Sequence, residues 1–397
     1  MKKIVIIGGG IVGLAIGREL IRKGHTDIEI IEKEKDIALH QSARNSGVMH
    51  AGLYYSPGSL KANLSRKGIN MMKSYCTKND IPWEECGKVV IANEPNQLNS
   101  LGELFQRGTK NGLLGLERLN KRQINNKEPY VDALEGLLVP EESIVNYRDV
   151  AKKYYQEITS GNGLVHLSSE VNHIKNNKNG VKKIFLKNGE ILTADIIIIA
   201  SGLYTDKLTN LVGIDIESKQ ILPFRGEYYL LKKEYDYLVK GLIYPVPNPQ
   251  LPFLGVHFTK MIDGNVEAGP NAVLALAREG YSWRIINPVE LYESIKYPGL
   301  RKFILKYPLV TIGEVARSLS KQIFVNSLKK LIPCIESNML TRGSAGIRAQ
   351  LMNQKGDLIQ DFDIRVDGDF ISILNAPSPA ATSSLAIAEY VVKYIGL

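Results

Sequence analysis

Three glycines at positions 8, 10 and 13 have the types and spacing to cradle a pyrophosphate. Gly8 permits a tight turn, Gly10 lets the backbone approach phosphate oxygens, and Gly13 lets a helix pack close to a strand. Ile11 and Val12 then open a helix whose free N–H groups and positive dipole face the anion. Glu32 follows Gly13 by 19 residues and ends a second apolar run. A carboxylate there accepts hydrogen bonds from ribose hydroxyls and repels a 2′-phosphate, which disfavours NADP. This leaves NAD or FAD as the dinucleotide.

Two further segments have the right chemistry to flank such a cofactor. Ala200-Ser201-Gly202 ends an apolar strand with small residues that let backbone lie beside it. Near the end of the chain, Asn375-Ala376-Pro377-Ser378-Pro379-Ala380-Ala381-Thr382-Ser383 precedes an amphipathic pattern through Leu385, Ala388, Val391, Val392 and Ile395. Ser378 suits an N-cap and Pro379 a first helical turn, so a helix is expected from Pro379 to Ile395. Its N–H groups, aimed at a flavin N1–C2=O edge, would stabilise reduced flavin.

The elements that must position these residues are legible in outline. Lys3 to Ile7 reads as a strand covered on both faces, Ile11 to Ile21 as a helix, and Asp27 to Glu32 as a second strand. Residues 40–66 are polar, Gly-rich and Tyr-rich without a period, which reads as an ordered binding segment. A helix is expected over 147–160 and a β meander over 164–193, with turns at Asn179-Gly180 and Asn188-Gly189. Residues 194–200 form another buried strand, 221–280 an antiparallel sheet, 288–330 mostly helix, and Phe370 to Leu374 a last strand. The fold class is α/β, α+β overall. A Rossmann-like dinucleotide domain (1–82, 145–215 and 336–397) is interleaved with an antiparallel-sheet substrate domain (83–144 and 216–335).

Composition sets the outer bounds. With 397 residues and 44% of them hydrophobic, the chain supports two or three domains with real cores. The net charge of +9 is spread over scattered Lys and Arg, which reads mainly as a solvated surface and secondarily as attraction to an acidic substrate or a membrane. No zinc finger or basic aromatic sheet motif points to nucleic acid, and the three cysteines have no zinc spacing, so no metal is expected. No apolar run reaches the roughly 18 residues needed to span a bilayer, and Ile4 to Gly17 runs into Arg18-Glu19 with no cleavage site. A cytoplasmic chain is expected.

The segment Ser42 to Tyr55 resembles the flavin-proximal segment of the D-amino-acid-oxidase-like FAD oxidoreductases, and more narrowly that of the L-2-hydroxyglutarate oxidase/dehydrogenase family. The resemblance extends to Pro223-Phe224-Arg225-Gly226-Glu227-Tyr228, to Leu254 to Thr259 with Gly269-Pro270-Asn271-Ala272, to Gly346-Ile347-Arg348-Ala349-Gln350, and to Asn375 to Thr382, covering essentially the whole chain. It implies an FAD enzyme that oxidises L-2-hydroxyglutarate to 2-oxoglutarate and passes electrons to a membrane quinone or to oxygen, with possible peripheral membrane contact. An amine or glycerol 3-phosphate oxidoreductase is the alternative on the same fold.

The resemblance also implies roles. Gly8, Gly10, Gly13 and Glu32, with Ile11, Val12 and Lys33 beside them, would hold the ADP half. Ser42, Arg44 and Ser46 would lie along pyrophosphate and flavin, and Val171 would give backbone contacts to adenine. Ala200, Gly202, Gly346, Ala380, Ala381 and Thr382 would flank the cofactor. Oxidation of a 2-hydroxy acid sends a hydride from C2 to flavin N5 and a proton from the hydroxyl to a base, which favours histidine. Of six histidines, His257 and His50 lie in the family segments. His257 is expected as base, with His50 near the flavin or sharing that role. Arg348 occupies the position of the family's carboxylate-binding arginine, and its planar fork suits a carboxylate. Arg225 and Arg317 are candidates for the second carboxylate, and Tyr55 and Tyr244 for hydroxyl donors.

Overall fold

The computed structural model describes residues 2–176, 180–247 and 254–394. Ile4–Ile7 is buried throughout because parallel strands flank it on both sides, Ile28–Ile31 and Ile196–Ile199. Its side chains alternate between two cores. Ile4 and Ile6 pack with the helices Ile11–Arg22, Tyr147–Ser160 and Ser384–Tyr394, while Val5 and Ile7 pack under the three-stranded meander Val171–Asn176, Lys182–Leu186 and Ile191–Ala194. The parallel sheet has six strands, with Leu164–His166 at one edge and Phe370–Asn375 then Asp363–Asp367 at the other. From Ile4–Ile7 the chain winds first to one side and later returns on the other. The carboxyl ends of Ile4–Ile7 and Ile196–Ile199 therefore border a topological switch point, where open α/β sheets bind ligands.

The second sheet has nine strands and is antiparallel except where Leu242–Pro245 runs alongside Lys88–Ala92. Its longest pairing joins Gln220–Leu231 to Leu340–Met352, from Gln220 opposite Met352 to Leu231 opposite Leu340, with one register shift between Glu227 and Tyr229. Four helices, Pro288–Lys296, Pro298–Lys306, Pro308–Leu319 and Lys321–Leu328, fill the stretch expected to be helical, and the first three open on a proline whose fixed φ suits that position.

Several expectations change in detail. Leu340–Met352 lies within 336–397 yet belongs to the nine-stranded sheet, because 13 residues of strand can pair along the whole of Gln220–Leu231. Leu164–His166 joins the parallel sheet rather than the meander. The last helix begins at Ser384, not Pro379. Turns with Ala380 N donating to Pro377 O and Ser383 N to Pro379 O come first, so Ser378 is not its N-cap. Residues 60–66 are the start of a helix, Leu60–Lys78, capped by Ser59 Oγ accepting from Ala62 N. The Asn188-Gly189 turn is present, with Leu186 N donating to Glu190 O. Asn179 and Ile395 lie outside the described residues.

Candidate functional site

The glycine loop is built by close packing. Gly8 has φ +120°, and a Cβ there would stand 2.4 Å from Ala200 O. A Cβ on Gly13 would stand 2.0 Å from Gly8 O, so helix and strand could not approach. Gly10 differs. A Cβ there would meet only Ser42 Oγ, at 3.3 Å, on the side open to the cavity. Ser42 Oγ accepts from Ile11 N at 2.9 Å, which leaves its hydroxyl proton to donate outward. Glu32 is fixed by Gly9 N on one oxygen (2.8 Å) and Glu34 N on the other (2.9 Å).

A cavity of about 1010 Å³ opens from this loop and reaches the second sheet. That is the upper end of the range for small-molecule sites, which suits a long ligand. Gly8, Gly10, Ile11, Val12, Glu32, Lys33, Ser42, Arg44, Ser46, Val171, Ala200 and Gly202 line it from the parallel-sheet side. Gly346, Ala380, Ala381 and Thr382 line it further along, with His50, Tyr55, Tyr244, His257 and Arg348. Gly13 stands behind the wall and acts through packing alone.

His257 Nδ1 lies 3.0 Å from Gly255 O, so the N–H points at that carbonyl and Nε2 keeps its lone pair. Burial pushes its pKa down to about 3, aided by the positive charges of Arg348, His50 and Lys88. The imidazole is neutral across the physiological range. Its ring stacks on Tyr244 at 3.9 Å between centroids, and His50 meets the edge of the same tyrosine at 6.5 Å. Burial holds the Tyr55 and Tyr244 phenols far above their ordinary pKa, so both remain hydroxyl donors.

His50 has its own support. Its Nδ1 lies 3.0 Å from Glu142 Oε2, while Glu142 Oε1 accepts from Lys88 Nζ (2.8 Å) and Ala51 N (3.0 Å). Burial alone would raise the Glu142 pKa, but Lys88 and His50 bring it down to about 2. The charged carboxylate therefore fixes the His50 ring with Nε2 free of that bond. Arg348 Nη1 donates to Asn271 O at 3.4 Å, which ties it to the loop after Gly269-Pro270.

Two expected cavity residues stand elsewhere. Arg225 is fully buried on the other side of its strand, paired with Glu227 at 3.1 Å, donating to Gly280 O and stacked over Trp283. The reason is the two-residue period. Gly226 and Tyr228 face the cavity, so residues 225 and 227 face away. Arg317 pairs with Glu314 one helical turn away, off the cavity wall.

Other wall residues fall within segments read from the sequence but were not singled out there. Tyr228 Oη approaches Ser46 Oγ at 3.4 Å. Tyr54 Oη is buried with no hydrogen-bond partner among the described residues. Lys61 donates to Gln360 O and lies 4.6 Å over the Tyr55 ring, and burial lowers its pKa to about 8. His40, with no site signal in its local sequence, bonds to Tyr281 and Glu34 at the cavity wall. The family segments Ser42 to Tyr55 and Pro223 to Tyr228 held Tyr54 and Tyr228, and alternation along the second points Tyr228 to the face of Gly226; the places of Lys61 and His40 depend on contacts distant in sequence.

Against known proteins, the model of the DAO family, described as FAD dependent oxidoreductase, matches residues 3–394. The chain belongs to this family of FAD-dependent oxidoreductases. Among its relatives is an L-2-hydroxyglutarate dehydrogenase of Indibacter alkaliphilus, 44% identical over 99% of this chain and 98% of that protein. The mitochondrial L-2-hydroxyglutarate dehydrogenase of Homo sapiens is 41% identical over 99% of this chain and 88% of its own length. In fold, the chain is similar to L-alpha-glycerophosphate oxidase from Mycoplasma pneumoniae with FAD bound, at TM-score 0.81 and 22% identity, covering 100% of this chain and 95% of the other. Glycine oxidase from Geobacillus kaustophilus follows at TM-score 0.73 and 16% identity, covering 100% and 94%. The family cofactor is FAD, and the site fits it: Gly10 leaves the loop open, Ser42 retains a donor, and the cavity joins both sheets.

Proposed function

We propose that the chain oxidises L-2-hydroxyglutarate to 2-oxoglutarate and passes the electrons to a quinone or to oxygen. One observation carries this reading: Arg348 and two histidines with Nδ1 engaged line the same FAD cavity. The names of the relatives at 41–44% identity support the choice of acid. FAD, when bound, supplies the two-electron acceptor for the hydride leaving C2.

In this reading Glu32 and the Gly8–Gly13 loop hold the ADP half, and Ser42 donates toward the phosphates. The six-stranded sheet carries the cofactor and the nine-stranded sheet covers the substrate. The Arg348 fork binds one carboxylate, and the Tyr55 and Tyr244 hydroxyls orient the acid. His257 Nε2 takes the hydroxyl proton as C2 loses its hydride. A bound dianion offsets the positive field of Arg348, so the base strengthens when substrate is present. Arg225 and Arg317 lie off the wall; among the cations that line the cavity, Lys61 stands beside Tyr55, and this reading gives the second carboxylate to it.

The test is anaerobic reduction of the purified yellow protein by a panel of 2-hydroxy acids, 2-amino acids and glycerol 3-phosphate. L-2-hydroxyglutarate is expected to bleach the flavin band near ~450 nm fastest. Faster bleaching by an amino acid or by glycerol 3-phosphate overturns the reading.

A further inference from the structure

We propose that residues 278–283 form a strap across the dinucleotide crevice, and that an ionic latch of Lys33, Glu34, His40 and Glu279 gates the entry and release of FAD. The chain leaving Ile28–Ile31 makes one bank of the cavity with Lys33, Glu34 and His40. The chain leaving Ile196–Ile199 makes the other with Gly202, Leu203 and Tyr204. Residues 278–283 belong to neither bank and bond to both. On the second bank, the Arg278 fork meets Asp206 at 2.6 and 2.9 Å and also donates to Leu203 O. On the first, both Glu279 oxygens meet Lys33 Nζ, at 2.5 and 2.7 Å. His40 Nε2 lies 3.0 Å from Glu34 and 3.1 Å from Glu279, and His40 Nδ1 lies 2.8 Å from Tyr281 Oη. The Arg44 guanidinium stands 4.2 Å over the Tyr281 ring. Glu279 itself lines the cavity, so a dinucleotide held between the banks is bridged by this segment.

The two ends of the strap are held unequally. Arg278 and Asp206 are 4% and 5% exposed, Arg225 Nη1 donates to Gly280 O, and Trp283 Nε1 donates to Ser318 Oγ. Breaking a buried, bidentate pair leaves uncompensated charge, so this end stays closed. The latch residues are 24–32% exposed. Ion pairs open to water hold weakly one by one and are screened by salt. The strap therefore opens at the Lys33 side and pivots on Arg278, as lids over bound ligands do. Burial alone would lower the Lys33 pKa, but its bonds to Glu279 and Glu34 raise it, so the latch keeps its cation. Glu34, His40 and Glu279 gather within 4.8 Å, close enough for metal ligands, yet Lys33 Nζ already supplies the positive charge among them. Lys33, expected from its place after Glu32 to hold the ADP half, thus turns its charge to the strap. This inference rests on the family cofactor and stands whichever acid is oxidised.

The exchange kinetics of FAD test it. Release is followed by flavin fluorescence after dilution of the loaded protein, and binding by mixing FAD with the stripped full chain. A gate slows passage in both directions by one factor, whereas a group that merely holds FAD slows release alone. Glu279→Gln removes the charge that Lys33 and His40 share and is expected to speed release and binding alike, by roughly tenfold, with Kd kept within about twofold. Tyr281→Phe loses one neutral hydrogen bond and no charge, so it carries the test if Glu279→Gln does not fold. It is expected to speed both rates roughly threefold. Raising salt from about 0.05 to 1 M should accelerate release from the unaltered protein more than from Glu279→Gln, because the variant has less of a latch to screen. Faster release with unchanged or slower binding overturns the proposal and assigns these residues to a direct hold on FAD. Unchanged rates in both variants overturn it as well, since the strap would then gate nothing.

Discussion

Arg348 and His257 make separable demands on the same cavity. A guanidinium fork meets a carboxylate with two parallel hydrogen bonds, whereas an ammonium offers a point charge. Arg348→Lys is expected to raise KM for the acid by roughly 10–100-fold with FAD content intact, the scale of a lost charge-assisted hydrogen bond. His257→Ala should instead slow flavin reduction by roughly 10²–10⁴-fold and retain FAD. Equal loss of FAD in either variant marks the residue as structural. If Lys61 holds the second carboxylate as proposed, its titration gives a pH dependence of definite sign. With its pKa lowered to about 8, the ammonium is charged below that pH and neutral above it. Affinity for a dicarboxylic acid is therefore complete below about pH 8 and falls as pH rises through it. A KM profile checks this, and Lys61→Met should flatten the basic limb. The sequence singled out Arg348 and His257 by the segments they sit in, and both line the cavity. It did not point to Lys61 as a wall residue because only folding brings Leu60–Lys78 against Gln360, and it misplaced Arg225 by the single step of alternation that separates the two faces of a strand.

At the scale of elements, the site depends on two backbones in contact. A Cβ on Gly346 would stand 2.4 Å from Arg44 O, so Leu340–Met352 presses directly on the segment holding Ser42 and Ser46. Gly346→Ala must push that segment away, and backbone cannot swing aside as a side chain does. Overpacking of this kind costs about 1–3 kcal/mol. Ser42 then loses its place against Ile11 N, and the purified protein should carry less FAD and melt at lower temperature. Unchanged flavin stoichiometry and melting would show that the loop is not positioned by this contact. The same pressing of backbones limits what a sequence discloses. The Gly8–Gly13 motif and the helix Tyr147–Ser160 were legible because their signals are local. Leu60–Lys78 buries Lys61, Ser65 and Gly68 along with its apolar residues, which blurs its period. Gly68 is small because a Cβ there would stand 2.6 Å from Ser383 Cα, a contact 315 positions away in the chain.

The whole molecule is organised around a cavity that both sheets share. Its glycine loop and Glu32 come from the six-stranded sheet, and Tyr244, His257 and Arg348 come from the nine-stranded one. The interleaved order of the chain was legible, since apolar strands recur at the start, the middle and the end. Leu340–Met352 was not: its residues were assigned with 336–397 to the dinucleotide domain, and they pair instead with Gln220–Leu231. A ligand lying across both sheets stabilises their association, not merely one domain. Binding to the folded chain alone adds about 2.7 kcal/mol when the ligand is held at 100 times its Kd. For a chain of this size, removing FAD should then lower Tm by roughly 3 °C, and restoring FAD should recover it. Calorimetry of holo and stripped protein reads the shift. Hydrogen exchange reads where it acts, with protection expected to fall both in Ile4–Ile7 and at His257–Lys260. If FAD removal loosened only the six-stranded sheet, the cavity would belong to one domain, and the placement of His257 and Arg348 against the cofactor would be wrong.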